Sequence, residues 1–145
     1  VYATSRFQVD VVGWSDAARE LSGVRRRVFI DEQGVPEDEE WDGADPDCVH
    51  AIARSDDGAA IGTGRLLPDG HIGRMAVLPD WRRLGVGSAL LSALLAEARR
   101  RGWNCVALNA QLHAIDFYRR FGFVAHGSEF LDAGIPHRAM VLELR

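Results

Sequence analysis

The sequence predicts one mixed α/β domain: a central, mostly antiparallel sheet of about seven strands with flanking helices. Three observations lead there. Short apolar or alternating stretches recur at Phe7–Val11, His50–Arg54, Ala60–Leu67 and Ile72–Leu78, separated by turn signals, and read as an antiparallel meander. A long amphipathic helix pattern opens at Val86 and is followed by a strand pattern at Cys105–Leu108, so the strands on either side of that helix run parallel through a right-handed crossover. A last pair of strand patterns, one starting at Phe123–Val124 and one at Ala139–Leu144, completes the count. The 145 residues suffice for a single domain, 1–145, with a sizeable core.

Composition narrows the class. Apolar residues make up 47% and charged residues 26%, as in an ordinary globular domain. The net charge of −4 argues against nucleic acid as the main partner, and the arginine clusters at 25–27, 82–83 and 99–101 have local explanations at helix ends and faces. Cys48 and Cys105 form no metal pattern. Both fall in strand-like stretches, which predicts buried free thiols and an intracellular, cytoplasmic setting. No apolar run approaches the roughly 20 residues of a membrane span. The chain begins at Val1, without Met or an apolar signal segment, as a trimmed or disordered start would.

The elements follow in order. Phe7, Val9 and Val11 alternate with polar residues as a half-buried first strand. Ser15 is placed to cap a helix whose apolar face is Leu21, Val24 and Val28, and which runs to about Ile30. Of Arg25, Arg26 and Arg27, two are expected in solvent and one paired inward. Gly34 and Pro36 end the helix. The acidic run Glu37–Asp42 encloses Trp41; it reads either as a solvated loop or as a binding loop for something cationic. Asp56-Asp57-Gly58 and Pro68-Asp69-Gly70 are turns, and Gly62 and Gly64 mark a bulge or a close approach of backbone. Leu90, Leu94 and Ala98, with Leu91 and Leu95 beside them, form the buried stripe of the long helix, which Gly102 stops. A short helix spans about Leu112–Phe121. The stretch containing Glu129, Asp132, Gly134, Pro136 and His137 reads as a long polar connection between the last two strands, with the final strand a candidate exposed edge.

The chemistry centres on V-L-P-D-W-R-R-L-G-V-G-S, Val77–Ser88. A strand stops at Pro79, a glycine-bearing turn follows, and a helix starts at once. A helix start leaves amides without intrahelical partners and favours negative charge, while Gly85 and Gly87 permit close approach of a phosphate. A Gly-x-Gly turn before a helix is also common as plain structure. It is neither a Walker A loop nor a dinucleotide fingerprint.

The R-x-x-G-x-G form, placed mid-chain after a strand, resembles the pyrophosphate loop of the GCN5-related N-acetyltransferase (GNAT) superfamily. Three further segments fit. Gly73–Pro79 resembles the strand before that loop, Ala107-Leu108-Asn109-Ala110 the next strand, and Ala114-x-x-Phe117-Tyr118-x-x-Phe121-Gly122-Phe123 the family's A-x-x-F-Y ending. Phe29-x-x-Glu32-Gln33-Gly34-Val35-Pro36 is similar to the small bacterial ElaA/YjcF-like branch, so the resemblance covers most of the chain.

The resemblance implies a splay between strands 4 and 5, with acetyl-CoA as cosubstrate and no metal. The pyrophosphate would sit on Arg82, Arg83, Leu84, Gly85, Val86, Gly87 and Ser88, and pantetheine along Met75, Ala76 and Val77, with Asn109 and Phe117 as further cofactor contacts. Asn109 is equally a strand-end cap. Backbone N–H groups near Ala76 or Val77 would hold the developing oxyanion. A neutral amine would attack directly in a ternary complex, and Tyr118 would protonate the leaving thiolate; as plain structure, Tyr118 is a core aromatic. Candidates for the general base are Glu32, then His113, then His137, with a water chain to a remote carboxylate as another route. Glu32, Gln33, Trp41, Glu129 and His137 are the expected acceptor contacts, and a cationic amine would be drawn by the acidic run.

The implied activity is N-acetyltransfer to a primary amine of a small molecule or peptide, a small molecule being favoured. No nucleic-acid or membrane partner is implied. Competing readings are a CoA-binding protein without transfer activity and a transferase for longer acyl groups. Monomer and homodimer both remain open.

Overall fold

A computed structural model describes residues 6–144; the expectation about the chain start lies outside them. Seven strands form one sheet: β1 (Phe7–Gly13), β2 (Val49–Ser55), β3 (Ala60–Leu66), β4 (His71–Val77), β5 (Cys105–Gln111), β6 (Val124–Asp132) and β7 (Ile135–Glu143). Their order is β1-β2-β3-β4-β5-β7-β6. All neighbours are antiparallel except β4 and β5, which run parallel. This is the mixed sheet the sequence predicts. The parallel pairing of β4 with β5 covers only His71–Ala107 and Ile72–Leu108, after which the two strands splay.

Helices lie over the sheet. α1 (Trp14–Arg25) continues as a wider, π-helical turn over Arg26–Glu32, and a four-residue α2 (Glu37–Glu40) follows. α3 (Val86–Arg100) buries Leu90, Leu91, Leu94, Leu95 and Ala98, the predicted stripe. Burying five such side chains contributes on the order of several kcal/mol. Gly62 and Gly64 are close-approach positions: a Cβ on Gly62 would come within 2.9 Å of Leu90, and one on Gly64 within 3.0 Å of Leu94. α4 (Ile115–Arg119) is shorter than expected, because Leu112–Ala114 forms a separate 3₁₀ turn.

Several expectations are corrected. Ser15 does not cap α1: the N-cap is Gly13, without a side-chain cap, and the first turn is irregular at Ala17. Val11 is exposed, because inward packing changes sheet face at Val12. Cys48 is buried, just outside β2, whereas Cys105 is exposed. The expected long connection does not exist. Asp132 pairs with Ile135 across a two-residue turn, Ala133-Gly134, with φ of 51° and 76°. Glu129 and His137 are therefore strand residues, and β7 is an interior strand with β6 at the edge.

Candidate active site

The splay opens a cavity of about 770 Å³. Its shape starts with a bulge in β4. Thr63 pairs with Ala76 and Arg65 with Gly73, so Arg74 and Met75 together face the single residue Gly64. Arg74 has a φ of 51°, and the Thr63 hydroxyl donates to its carbonyl at 3.1 Å. The bulge bends β4 away from β5 and leaves the edge at Met75, Ala76 and Val77 without a strand partner on that side.

The helix start lies at one end of this opening. Gly85 caps α3 in the left-handed region (φ 87°), and the first intrahelical bond runs from the Ala89 amide to the Gly85 carbonyl at 3.0 Å. The amides of Val86, Gly87 and Ser88 thus have no acceptor within the helix. At Gly87 a Cβ would meet the Phe117 ring at 3.5 Å, an ordinary contact. Arg83 and Leu84 are exposed in the turn. Arg82 reaches away from the helix start. It donates to the Val77 carbonyl at 2.9 Å and forms a two-pronged pair with Glu32 at 2.6 and 2.8 Å.

That pair changes the standing of Glu32. The Arg82 hydrogen bonds hold its carboxyl below the usual range, which suits a strut across the cavity mouth better than a base. Gln33, next along the π-helical turn, exchanges amide hydrogen bonds with Gln111 of β5 at 3.0 and 3.4 Å. The turn is therefore tied to both splayed strands, and the wider helical geometry places Glu32 and Gln33 over the gap.

Tyr118 is buried in the cavity wall, edge-on to Phe117 and Phe123. Burial pushes its phenol up to about 12, so it stays protonated at neutral pH and is an acid in waiting. Asn109 and His113 also line the cavity, as exposed residues. His137 lines it too, and is buried.

The far wall is built from charges, of which the sequence points only to the acidic run that contains Glu40. Arg65, Arg74 and Glu40 line it. Behind them Arg25 binds Glu40 at 2.8 Å and Asp45 at 2.7 Å, and Arg65 binds Asp42 at 2.5 Å and Asp45 at 3.0 Å. Arg74 approaches Glu40 at 3.1 Å, as an ion pair without hydrogen-bond alignment at Nε. Burial raises the Glu40 carboxyl against the pull of Arg74 and Arg25, whereas hydrogen bonding from Arg65 depresses Asp42. Two arginines in otherwise apolar strands, Arg65 and Arg74, were the available signal for this wall.

Glu37, Glu40 and Asp42 of the acidic run are consequently paired within the chain, while the exposed Glu39 lines the cavity. Trp41 lies outside the cavity, its ring under the Arg25 and Arg26 guanidinium groups at 5.1 and 5.7 Å. Glu129 is exposed in a bulge of β6, also outside the cavity. Among the described residues no cluster of His, Cys, Asp and Glu is able to hold a metal, and no helix is long and apolar enough to cross a membrane.

Comparison with known proteins agrees with this geometry. The acetyltransferase (GNAT) domain family matches residues 18–144. The "uncharacterized N-acetyltransferase YjcF" of Bacillus subtilis is 39% identical over 122 residues, covering 81% of this chain and 86% of its own. The structure of an acyl-CoA N-acyltransferase from Pseudomonas aeruginosa superposes with a TM-score of 0.82 at 32% identity, over 93% of this chain and 98% of that one. Escherichia coli ElaA gives 0.82 at 28% identity, with the same coverage. The splayed β4–β5 pair, the helix start beyond it and these matches over most of the sequence lead to one assignment: this chain is a GNAT-family acetyltransferase of the ElaA/YjcF-like branch.

Proposed function

We propose that this protein transfers an acetyl group from acetyl-CoA to the primary amine of a small molecule, both substrates being held together. The observation that carries the reading is the buried Tyr118 in the wall of a cavity that opens, along an unpaired β4 edge, toward a helix start with no side-chain cap.

The residues present fit acetyl-CoA. The amides of Val86, Gly87 and Ser88, with the turn from Arg82 to Gly85, would receive the diphosphate. The free edge at Met75–Val77 would pair with the pantetheine amides as a partner strand does. Asn109 and Phe117 would flank it. Acetyl-CoA supplies an activated acyl carbon and a thiolate leaving group. Ala76 and Val77 amides would hold the carbonyl oxygen as its charge develops. Tyr118 would then give its proton to sulfur. A phenol pushed to about 12 is a poor donor to a thiolate, so Tyr118 must regain a proton from the nascent amide nitrogen in the same step.

The test is thiol release from acetyl-CoA against a panel of polyamines, amino sugars, amino acids and lysine peptides, run with Tyr118→Phe. The expected outcome is release that depends on one amine class, with turnover falling about 100- to 1,000-fold in the variant while CoA affinity is unchanged. Tight CoA binding without release would identify a CoA-binding protein instead. Full turnover in Tyr118→Phe would remove the acid role.

A further inference from the structure

We propose that His137 is the general base, taking a proton from the incoming ammonium at Nε2; this rests on the amine-acetylation reading above. Four observations converge. His137 lines the cavity while only 8% exposed. Its Nδ1 lies 2.6 Å from the Ile135 carbonyl oxygen. A carbonyl only accepts, so Nδ1 carries hydrogen and the neutral ring holds its lone pair on Nε2. Nε2 has no hydrogen-bond partner among the described residues. The ring plane is also fixed, because Phe130 stacks on it with centroids 5.9 Å apart and 24° between planes.

The fold explains why His137 is so constrained. The Ala133-Gly134 turn brings the Ile135 carbonyl under the ring two residues on. The β6 bulge sets His126 opposite Ala139 but Phe130 opposite His137, returning Phe130 to the histidine. Arg138 holds that bulge by donating to the Gly127 carbonyl at 3.0 and 3.2 Å. On the other side His137 pairs with Gln111, whose amide is bonded to Gln33.

Its competitors are worse placed. The other charged and titratable groups lining the cavity are Glu32, Glu39, Glu40, Arg65, His71, Arg74, Arg82, His113, Tyr118 and Asp132. Arg65 is paired with Asp42 and Asp45, His71 lies against Asp69, and Glu39 is exposed. Glu32 is committed to Arg82, and Arg74 faces Glu40 and Asp42. Tyr118 holds its proton. His113 and Asp132 are exposed at turns.

The proton balance closes. Nε2 accepts one proton from the ammonium and later loses it to solvent. The freed nitrogen lone pair forms the C–N bond as the carbonyl electrons move to oxygen. They return as the C–S bond breaks. Sulfur takes the Tyr118 proton, and Tyr118 is reprotonated from the amide nitrogen.

The experiment compares His137→Gln with the parent enzyme on two probes. Benzylamine arrives as an ammonium at neutral pH, whereas aniline arrives already neutral. The variant should lose about 100-fold or more in kcat/KM with benzylamine at neutral pH, a loss that shrinks as pH rises and more of the amine arrives neutral. It should lose little with aniline and keep its affinity for CoA. Equal losses on both amines, a benzylamine loss that does not shrink as pH rises, or the same benzylamine-selective loss in His113→Gln instead, would overturn the proposal. If the parent enzyme acetylates neither amine, the amine-acetylation reading fails for these probes. ¹⁵N NMR of the His137 ring then decides the base assignment by itself: a Nδ1–H tautomer supports it, and a Nε2–H tautomer overturns it.

Discussion

The two halves of the cavity are built from different materials. The half facing α3 is made of backbone: a bulged strand edge, a helix start with no side-chain cap and a glycine turn. The other half is made of side chains gathered from distant segments and engaged with one another, Arg25 with Glu40 and Asp45, Arg65 with Asp42 and Asp45, Gln33 with Gln111. The difference teaches where each kind of recognition belongs. Backbone groups serve a ligand of constant chemistry, because every residue carries the same donor and acceptor. A wall of paired side chains sets shape and local charge, and it changes with each substitution.

Breaking the side-chain wall should have the largest effect on stability. Arg25 is almost wholly enclosed, and its loss leaves Glu40 and Asp45 buried with fewer partners. Arg25→Ala should destabilise the protein by about 3–5 kcal/mol, measured by denaturant unfolding. A loss below about 1 kcal/mol would mean that Arg65 and Arg74 carry the network without it. On the backbone side, Gly62→Ala places a Cβ 2.9 Å from Leu90 and 3.3 Å from the Ala76 carbonyl oxygen. The expected cost is about 1–3 kcal/mol, with a weaker affinity for CoA because α3 shifts against β4. Unchanged CoA binding would show that the helix start tolerates that shift.

The smallest effect is one of pH. Asp42 has a depressed pKa in the folded state, from its hydrogen bond to Arg65, and Asp45 is lowered too: burial pushes it up, but Arg25 and Arg65 prevail. Both bind fewer protons folded than unfolded, so the stability they contribute is present above the ordinary carboxylate range and drains away as pH falls below about 4. Glu40, raised by burial, works in the opposite sense and softens the fall. Asp42→Asn should flatten the acid side of the Tm-against-pH curve. An unchanged slope would place the acid sensitivity elsewhere.

The same division governs what could be read from the chain. Val77–Ser88 was legible because its structure is local: a strand stop, two glycines and a helix start, in one order. The α3 stripe and the meander were legible from period alone. The hairpin from Val124 to Glu143 was legible as a pair of strands, but not in its tight turn. Its turn uses Ala133 at positive φ where Asn or Gly is the usual signal, and Pro136 and the β6 bulge interrupt the alternation. His137 accordingly read as a loop residue.

Trp41 and Glu32 have partners that the sequence does not show. Both have the chemistry for gripping an amine, but their partners lie far along the chain or on another element. Trp41 stacks on Arg25 and Arg26, and Glu32 is held by Arg82, 50 residues away.

By itself, then, the sequence determined the sheet-and-helix order, the buried stripe of α3, the glycine turn before it and the family. These rest on period, spacing and backbone conformation, which are local properties. Only the tertiary structure decided which charges are already paired, which histidine is held in one tautomer and which side chains share the cavity. Those depend on distances between residues that the chain keeps far apart until it folds.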